Sequence, residues 1–519
     1  MNKTTTAISA VTILILISKI LGFGREMLIA AYYGATYQTD AYNMAVMIVG
    51  LATAIISAGI ATVIIPMYSR KQIRQSKEEA DLFISNILCI TSLFYIILSV
   101  LGIIFAPVLV MIFAPSFAEN TAALTINIVR IVFCFAVVSN ITHFLHSIAR
   151  IHGKFAITVV ANYPFTIFAV ISIIFFADKL GIYALVIAYV LFLLASAMLF
   201  ILSVRKVFRF KPVLNFTNGE LKEVVKLSLP IYLSVAVWEI NVVVDRILAS
   251  GLPEGSISAM NYAARLRDLP EGLIAASVMT VMFPLLSQYA AKNDFVNLKA
   301  AASKAISLLF MALLPIIAVS LYYATDITRI VYERGAFTPD DTALTARIFT
   351  FFVLSLIFTG VGNLLANAFY SMHDTKTPQI AAALTVVVNI VFNLILIRHM
   401  QAAGLALASS IAWFVYFTVL FILFRLKCGA FGGLSLIKNV AKCAIATTGM
   451  IPIFFLFEPL RDSLPHQGNI LMFFFFAAAS AVSLSVYALL LYLFKVDLFM
   501  EALNRTKEMI SSKFTKNPS

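Results

Sequence analysis

Fourteen stretches of this chain stay apolar for roughly 18 to 25 residues, the length at which a helix rising about 1.5 Å per residue crosses some 30 Å of bilayer hydrocarbon. They fall near 7–34, 40–66, 82–113, 122–148, 156–177, 180–203, 224–249, 257–288, 301–324, 343–370, 378–398, 402–426, 439–458 and 468–494, numbered below as spans 1 to 14. In lipid every backbone N–H and C=O must find a partner inside the protein, which leaves helices or closed barrels. The stretches are continuous rather than alternating in polarity, and that excludes a barrel. A composition of 61% hydrophobic and 12% charged residues lies far from that of a soluble domain. The expected class is an all-α polytopic membrane protein with 14 transmembrane helices.

Lysine and arginine divide unevenly between the two sets of connecting loops. One side carries Arg70, Lys71, Arg74, Lys77, Arg150, Lys154, Arg205, Lys206, Arg209, Lys211, Lys222, Lys226, Lys292, Lys299, Arg425, Lys427 and Lys438, and the other only Lys179, Arg329, Arg334, Arg398 and Arg461. The positive-inside rule then puts both termini in the cytoplasm, and the basic tail after residue 495 agrees. The net charge of +13 is read as this topology signal together with attraction to anionic lipid head groups, not as a nucleic-acid footprint. Span 1 runs apolar to Gly34 with charges inside it, so it is read as a retained helix and not a cleaved signal. Cys89, Cys134, Cys428 and Cys443 are scattered without metal-ligand or disulfide spacing, and no metal site or cofactor is expected.

The chain repeats itself. At an offset of 218, Ala41, Asn43, Ala45, Thr62, Pro66 and Ser69 match Ala259, Asn261, Ala263, Thr280, Pro284 and Ser287. Six spans per copy keep both copies in one orientation, so they are read as parallel repeats around a central cleft. The expected organisation is an N-lobe at 1–220, a C-lobe at 221–430, spans 13 and 14 at 431–495, and a basic tail at 496–519.

Charges inside spans mark where function sits, since an arginine or lysine at mid-bilayer costs at least about 2.5 to 3.5 kcal/mol on insertion scales. Span 1 holds Lys19, Arg25 and Glu26, a surplus of one cation. Span 8 holds Arg265, Arg267, Asp268 and Glu271, spaced so that Arg265 faces Asp268 and Arg267 faces Glu271. These last are read either as self-neutralising pairs or as part of a cationic cavity. Gly22 and Gly24 would let span 1 bend or let a ligand approach its backbone, and Pro270, unable to donate to the carbonyl of Leu266, should kink span 8. Asp40 has two open roles, reaching back to the cations of span 1 or capping span 2. Arg130 is expected to snorkel to the external interface.

A buried cationic cavity suits phosphate or diphosphate, because the guanidinium fork matches phosphate oxygens. The chain has no Walker A motif, metal-ligand cluster or nucleophile paired with a base, so it is read as a transporter and not an enzyme, energised by a membrane potential or ion gradient.

Residues 18–35, SKILGFGREMLIAAYYGA, with TDAYNMA at 39–45, RLRDLPEG at 265–272, VMFPLLS at 281–287, YERGAFTPDDTALTA at 332–346 and NAFYSMHDTKTP at 367–378, resemble the MurJ (MviN) lipid II flippase family of the multidrug/oligosaccharidyl-lipid/polysaccharide (MOP) exporter superfamily. The resemblance implies a MATE-like fold of two six-helix lobes plus two helices. It also implies alternating-access movement of undecaprenyl-diphosphate-linked peptidoglycan precursor from the inner to the outer leaflet of a bacterial cytoplasmic membrane, in cell-wall and cell-shape biogenesis. By the same resemblance the diphosphate is held by Arg25, Lys19 and Arg265, with Asp40, Asp268 and Glu26 in charge coupling or gating and Gly22, Gly24 and Pro270 in helix bending. Spans 13 and 14 would form a groove for the polyprenyl tail. Partners implied are lipid II or a related lipid-linked glycan, membrane lipids and cell-wall synthesis proteins. The chain departs from some members in being neutral from Ala41 to Met67 and in carrying lysine at position 19. Rival readings are a flippase for another polyprenyl-linked glycan, a multidrug antiporter or a membrane scaffold. The turns at 150–154 and 373–376 are candidates for a cytoplasmic gate.

Overall fold

The computed structural model describes residues 3–217, 219–431, 433–463 and 469–514, and among them there is helix and no strand. Among the described residues ten helices are long and apolar enough to cross a membrane, or eleven when the bent pair Glu119–Phe133 and Ala136–Ile151 counts as one span. Helices Lys3–Tyr33, Tyr37–Gly59 and Gly219–Ala249, outside that count, lie where spans 1, 2 and 7 are expected. Large apolar side chains point outward along these helices, among them Phe175 at 69% and Leu456 at 72% exposure. Surface of that kind needs lipid around it. The chain is a multi-pass membrane protein.

Proline explains most of the breaks. In span 3 the helix Lys77–Ile104 ends and Ala106–Phe113 begins with Pro107 in its first turn. Pro107 cannot donate to Ile103, and Arg130 supplies the missing donor, its Nε lying 3.4 Å from the Ile103 oxygen. Arg130 is exposed, as expected of a snorkelling side chain, but it also mends a helix. In span 8 the expected kink takes another form. The helix Ser256–Pro270 passes into a π-helical turn, Glu271–Ala275, and resumes as Ala276–Ala291, and the whole counts as one span. A wider turn absorbs the absent N–H without breaking the span. Span 2 has a similar π-helical turn, Ile60–Ile64, just before Pro66.

Packing divides the chain into two compact units, one of residues 1–259 with 334–341 and one of 260–333 with 342–519. In the first, Tyr68, Phe83, Phe144, Phe200 and Phe208 build a core from spans 2, 3, 4 and 6 and the segment after span 6. Gly219–Ala249 packs with this unit, against the helix Tyr37–Gly59 and the turn after it. In the second, Cys443, Met450, Phe454, Tyr487 and Leu491 of spans 13 and 14 pack against Val319 and Tyr323. Arg461 adds a two-point ion pair to Asp326, with its Nη2 3.1 Å from Oδ2 and its Nε 3.2 Å from Oδ1.

The first unit is also stitched by backbone in close approach. Ala336 N donates to Ala31 O at 2.7 Å. Gly255, at φ +85, leaves room for so little that a Cβ there would lie 2.1 Å from Ala35 O, and a Cβ on Gly335, at φ +59, would lie 2.2 Å from Ala31 O. Alanine at either position faces both backbone strain and a clash with main chain that cannot swing aside, an expected loss of about 2 to 4 kcal/mol. The thermal unfolding midpoint of Gly255→Ala in detergent should therefore drop by several degrees, while Gly50→Ala, whose Cβ would meet nothing within 4 Å, should not fall. Equal midpoints would show that this junction is not tightly held.

Candidate functional site

The charges of spans 1 and 8 form two stations, one in each compact unit. In the first unit Arg25 and Glu26 are neighbours in sequence, which on a helix normally points side chains apart. Their long side chains nevertheless converge, with Arg25 Nη2 2.7 Å from Glu26 Oε1 and the two side chains only 14% and 16% exposed. The guanidinium also sits 4.0 Å from the centre of the Phe165 ring, a cation–π contact worth about 0.5 to 2 kcal/mol. Its buried Nε–H has no acceptor. The guanidinium therefore keeps one buried donor unused beside an aromatic ring. Lys19 is partly buried and forms no ion pair among the described residues, so the surplus charge of span 1 rests on it. The helix Lys3–Tyr33 runs unbroken through Gly22 and Gly24, and a methyl group at either would meet nothing within 4 Å. Neither glycine interrupts the helix, and both leave open space around them.

In the second unit the cation that organises span 8 is Arg267. Its Nη2 and Nε lie 2.6 and 3.1 Å from Asp268 Oδ1, its Nη2 3.7 Å from Glu271 Oε2, and its Nη1 3.4 Å from Ser355 Oγ. The expected Arg267–Glu271 pair is present, and Asp268 is shared with the same guanidinium. Arg267, Asp268, Glu271, Gly272 and Asn363 line a cavity of about 430 Å³ beside the π-helical turn. Arg265 is not among its lining residues and lies on the exposed face. Two residues on a helix are turned some 200° apart, so Arg265 and Arg267 cannot serve one face.

Asp40 takes neither of its two expected roles. It sits in the first turn of Tyr37–Gly59, 4% exposed, and accepts from Gly255 N and Ser258 N at 2.7 Å each and from Ser258 Oγ at 2.6 Å. Its carboxylate thus caps another helix, Ser256–Pro270, at the N-terminus where orphan N–H groups and the helix dipole favour a negative charge. Ser258 lies 218 positions on, the repeat offset, so Asp40 bonds the residue that holds its own place in the second copy. Asn43 Nδ2, 3.3 Å from Ser258 Oγ, joins the same cluster. Sequence reasoning missed Gly255, Ser258, Phe165 and Ser355. The repeat register was the one signal that pointed at Ser258.

The turn at 373–376 is held closed by Asp374. Its carboxylate accepts from Thr377 N at 3.0 Å and Thr377 Oγ1 at 2.8 Å, capping Lys376–Met400, and pairs with Lys427 Nζ at the end of the next helix. Burial pushes the carboxyl up, but Lys427 and the Thr377 donors outweigh it and hold the group at about 2, below its ordinary 3.8. A depressed carboxyl stabilises when ionised, so the clasp is complete above pH 3.8 and is lost as pH falls toward about 2. Hydrogen exchange of the 374–377 amides, corrected for intrinsic rate, should therefore be flat from pH 7 to 5 and rise below 4. Asp374→Asn should already show the faster exchange at pH 7.

A family model described as lipid II flippase MurJ matches residues 29–476. The lipid II flippase MurJ of Thermosipho africanus is 28% identical over 499 residues, covering 95% of this chain and 97% of that protein. The probable lipid II flippase MurJ of Rickettsia prowazekii is 28% identical over 404 residues, 77% of this chain and 79% of that protein. A solved structure of lipid II flippase MurJ in an inward closed conformation superposes with a TM-score of 0.78 at 27% identity, covering 92% of this chain and 98% of that one. An inward-facing multidrug resistance MATE family transporter of the MOP superfamily gives 0.67 at 16% identity, covering 81% of this chain and 96% of that one, a likeness of fold alone.

Proposed function

Because this chain belongs to the lipid II flippase MurJ family, a family of transporters and not of enzymes, we propose that it moves lipid II from the inner to the outer leaflet of the bacterial cytoplasmic membrane for peptidoglycan assembly. The family match over residues 29–476 carries this reading. The charges inside spans 1 and 8 agree with it, since a lipid-linked diphosphate is the kind of cargo that repays keeping guanidinium groups in a membrane.

In this reading Arg25 and Lys19 receive the diphosphate in span 1, the unused Nε–H of Arg25 taking one phosphate oxygen. Glu26 sets how strongly Arg25 is held, and Asp268 how strongly Arg267 is held, when no cargo is bound. The side chain of Arg267, held by Asp268 and Glu271, releases one carboxylate when an anion competes for it. Gly22 and Gly24 leave the approach open, and the π-helical turn after Pro270 is the flexible element of span 8. Both termini face the cytoplasm, spans 13 and 14 accommodate the polyprenyl tail, and alternating access is driven by a membrane potential or ion gradient. One net charge crossing 100 mV is worth about 2.3 kcal/mol, enough to bias the return step.

The test is complementation of a bacterium depleted of its own lipid II flippase, with lipid II at the cell surface measured by an externally added processing enzyme. Restored growth and surface lipid II support the reading. Membrane-inserted protein that restores neither would turn the assignment to a flippase for another polyprenyl-linked glycan.

A further inference from the structure

The first unit contains a cavity of about 780 Å³ that shares no lining residue with the Arg25 station or the Asp40 cap. Leu88 and Cys89 of span 3, Ile141 and Leu145 of span 4 and Ile201 of span 6 contribute to its apolar wall, and Arg205, Arg209 and Lys211 are also among its lining residues. These three cations are placed by a strap that leaves the helix Tyr183–Val204 and runs along Lys77–Ile104. Arg209 N donates to Asp81 Oδ2 at 3.2 Å, Lys211 N to Ser85 Oγ at 3.1 Å and Asn215 N to Asn86 Oδ1 at 2.7 Å, and Asn86 Nδ2 returns a bond to Asn215 O at 3.0 Å. Phe208, 6% exposed, anchors the strap in the core formed by Leu88, Leu145 and Val204.

The strap is therefore built into the fold, yet its charges are left unanswered. The nearby carboxylate of Asp81 accepts from the Tyr68 hydroxyl at 2.9 Å and from the Arg209 backbone, not from a guanidinium. Among the described residues none of Arg205, Arg209 and Lys211 forms an ion pair. Three uncompensated cations at the mouth of an apolar cavity, at the end of a membrane span, complement a ligand with one anionic head and one apolar chain. The volume lies in the ordinary range for small-molecule sites.

We propose that this cavity binds one anionic phospholipid, with an acyl chain in the apolar space and its phosphate among Arg205, Arg209 and Lys211. The lipid is a resident part of the protein and not its cargo. A zwitterionic head would bring its own ammonium toward the three cations and is disfavoured.

Native mass spectrometry of the full-length protein in neutral detergent tests this with phosphatidylglycerol and phosphatidylcholine of identical chains. One phosphatidylglycerol should be retained at least about tenfold more than phosphatidylcholine. The triple variant Arg205→Gln, Arg209→Gln, Lys211→Gln should lose that preference. Cys89→Phe, which fills the cavity and keeps every cation, should lose the bound lipid too. Should Cys89→Phe not fold, alkylation of Cys89 in a Cys134→Ser background gives the same answer, because phosphatidylglycerol should slow it and phosphatidylcholine should not. Equal retention of the two lipids, or phosphatidylglycerol binding untouched by the filled cavity, would overturn the proposal in favour of unspecific surface attraction. Displacement of phosphatidylglycerol by a polyprenyl phosphate at equal concentration would overturn it in favour of a cargo site. None of these readouts depends on flipping, so failure here is separable from failure of the flippase reading.

Discussion

Arg25→Ala should reduce surface delivery of lipid II by about 100-fold or more while the protein still inserts in the membrane. Two charge-assisted hydrogen bonds to a phosphate are worth about 3 to 6 kcal/mol together, and each 1.4 kcal/mol is a tenfold change in an equilibrium. The substitution removes the only guanidinium of span 1, its contact with Phe165 and its 2.7 Å ion pair with Glu26. Arg25→Lys separates these effects. It keeps the charge and a partner for Glu26 but loses the planar fork and the Nε donor, and should retain a small part of the activity. The measurement is surface lipid II in the depleted strain, with membrane abundance determined alongside. Wild-type delivery by Arg25→Ala would remove this residue from the mechanism.

Asp40→Ala is expected to be the most destabilising single change at a charged position. It strips acceptors from Gly255 N, Ser258 N and Ser258 Oγ at once, all three in a site where Asp40 is 4% exposed. A buried donor left unsatisfied costs about 1 to 3 kcal/mol, so the sum over the three before relaxation is about 3 to 9 kcal/mol. Ser258→Ala removes one of the three bonds to Asp40 and the longer bond from Asn43 Nδ2, and should cost about 1 to 2 kcal/mol. The thermal midpoint in detergent should therefore fall far more for Asp40→Ala than for Ser258→Ala. Similar midpoints for the two would mean that the backbone bonds to Asp40 contribute nothing.

Asp40 also shows what a sequence withholds. Its type and place at the start of span 2 were legible, and so was the idea of a cap, but the helix it caps begins more than 200 residues later and only folding brings it there. Arg25 and Glu26 were legible as a charge cluster because lipid makes such residues rare. Phe165, which holds the guanidinium flat, is one apolar residue among many in span 5 and carried no signal. Pro270 was legible as a disturbance, since proline lacks an N–H in every setting. Whether that disturbance became a kink or a π-helical turn depended on how the neighbouring residues repacked. Arg267 and Arg265 looked equivalent in sequence, and only the helix rotation set against the rest of the second unit gave the cavity to Arg267.

The amino-acid sequence by itself determined that this is a polytopic helical membrane protein and where most of its spans lie. The reason is that a bilayer offers no hydrogen bonds, so each long apolar stretch must satisfy its own backbone. It also determined which charges lie inside spans, because their positions follow from counting. The tertiary structure alone decided the distant partner of each such charge: Arg25 with Phe165, Arg267 with Ser355, Asp40 with the start of Ser256–Pro270. Those pairings depend on side chains from distant spans meeting at separations near 3 to 4 Å, and the hydrophobic pattern that fixes a helix leaves that choice to packing.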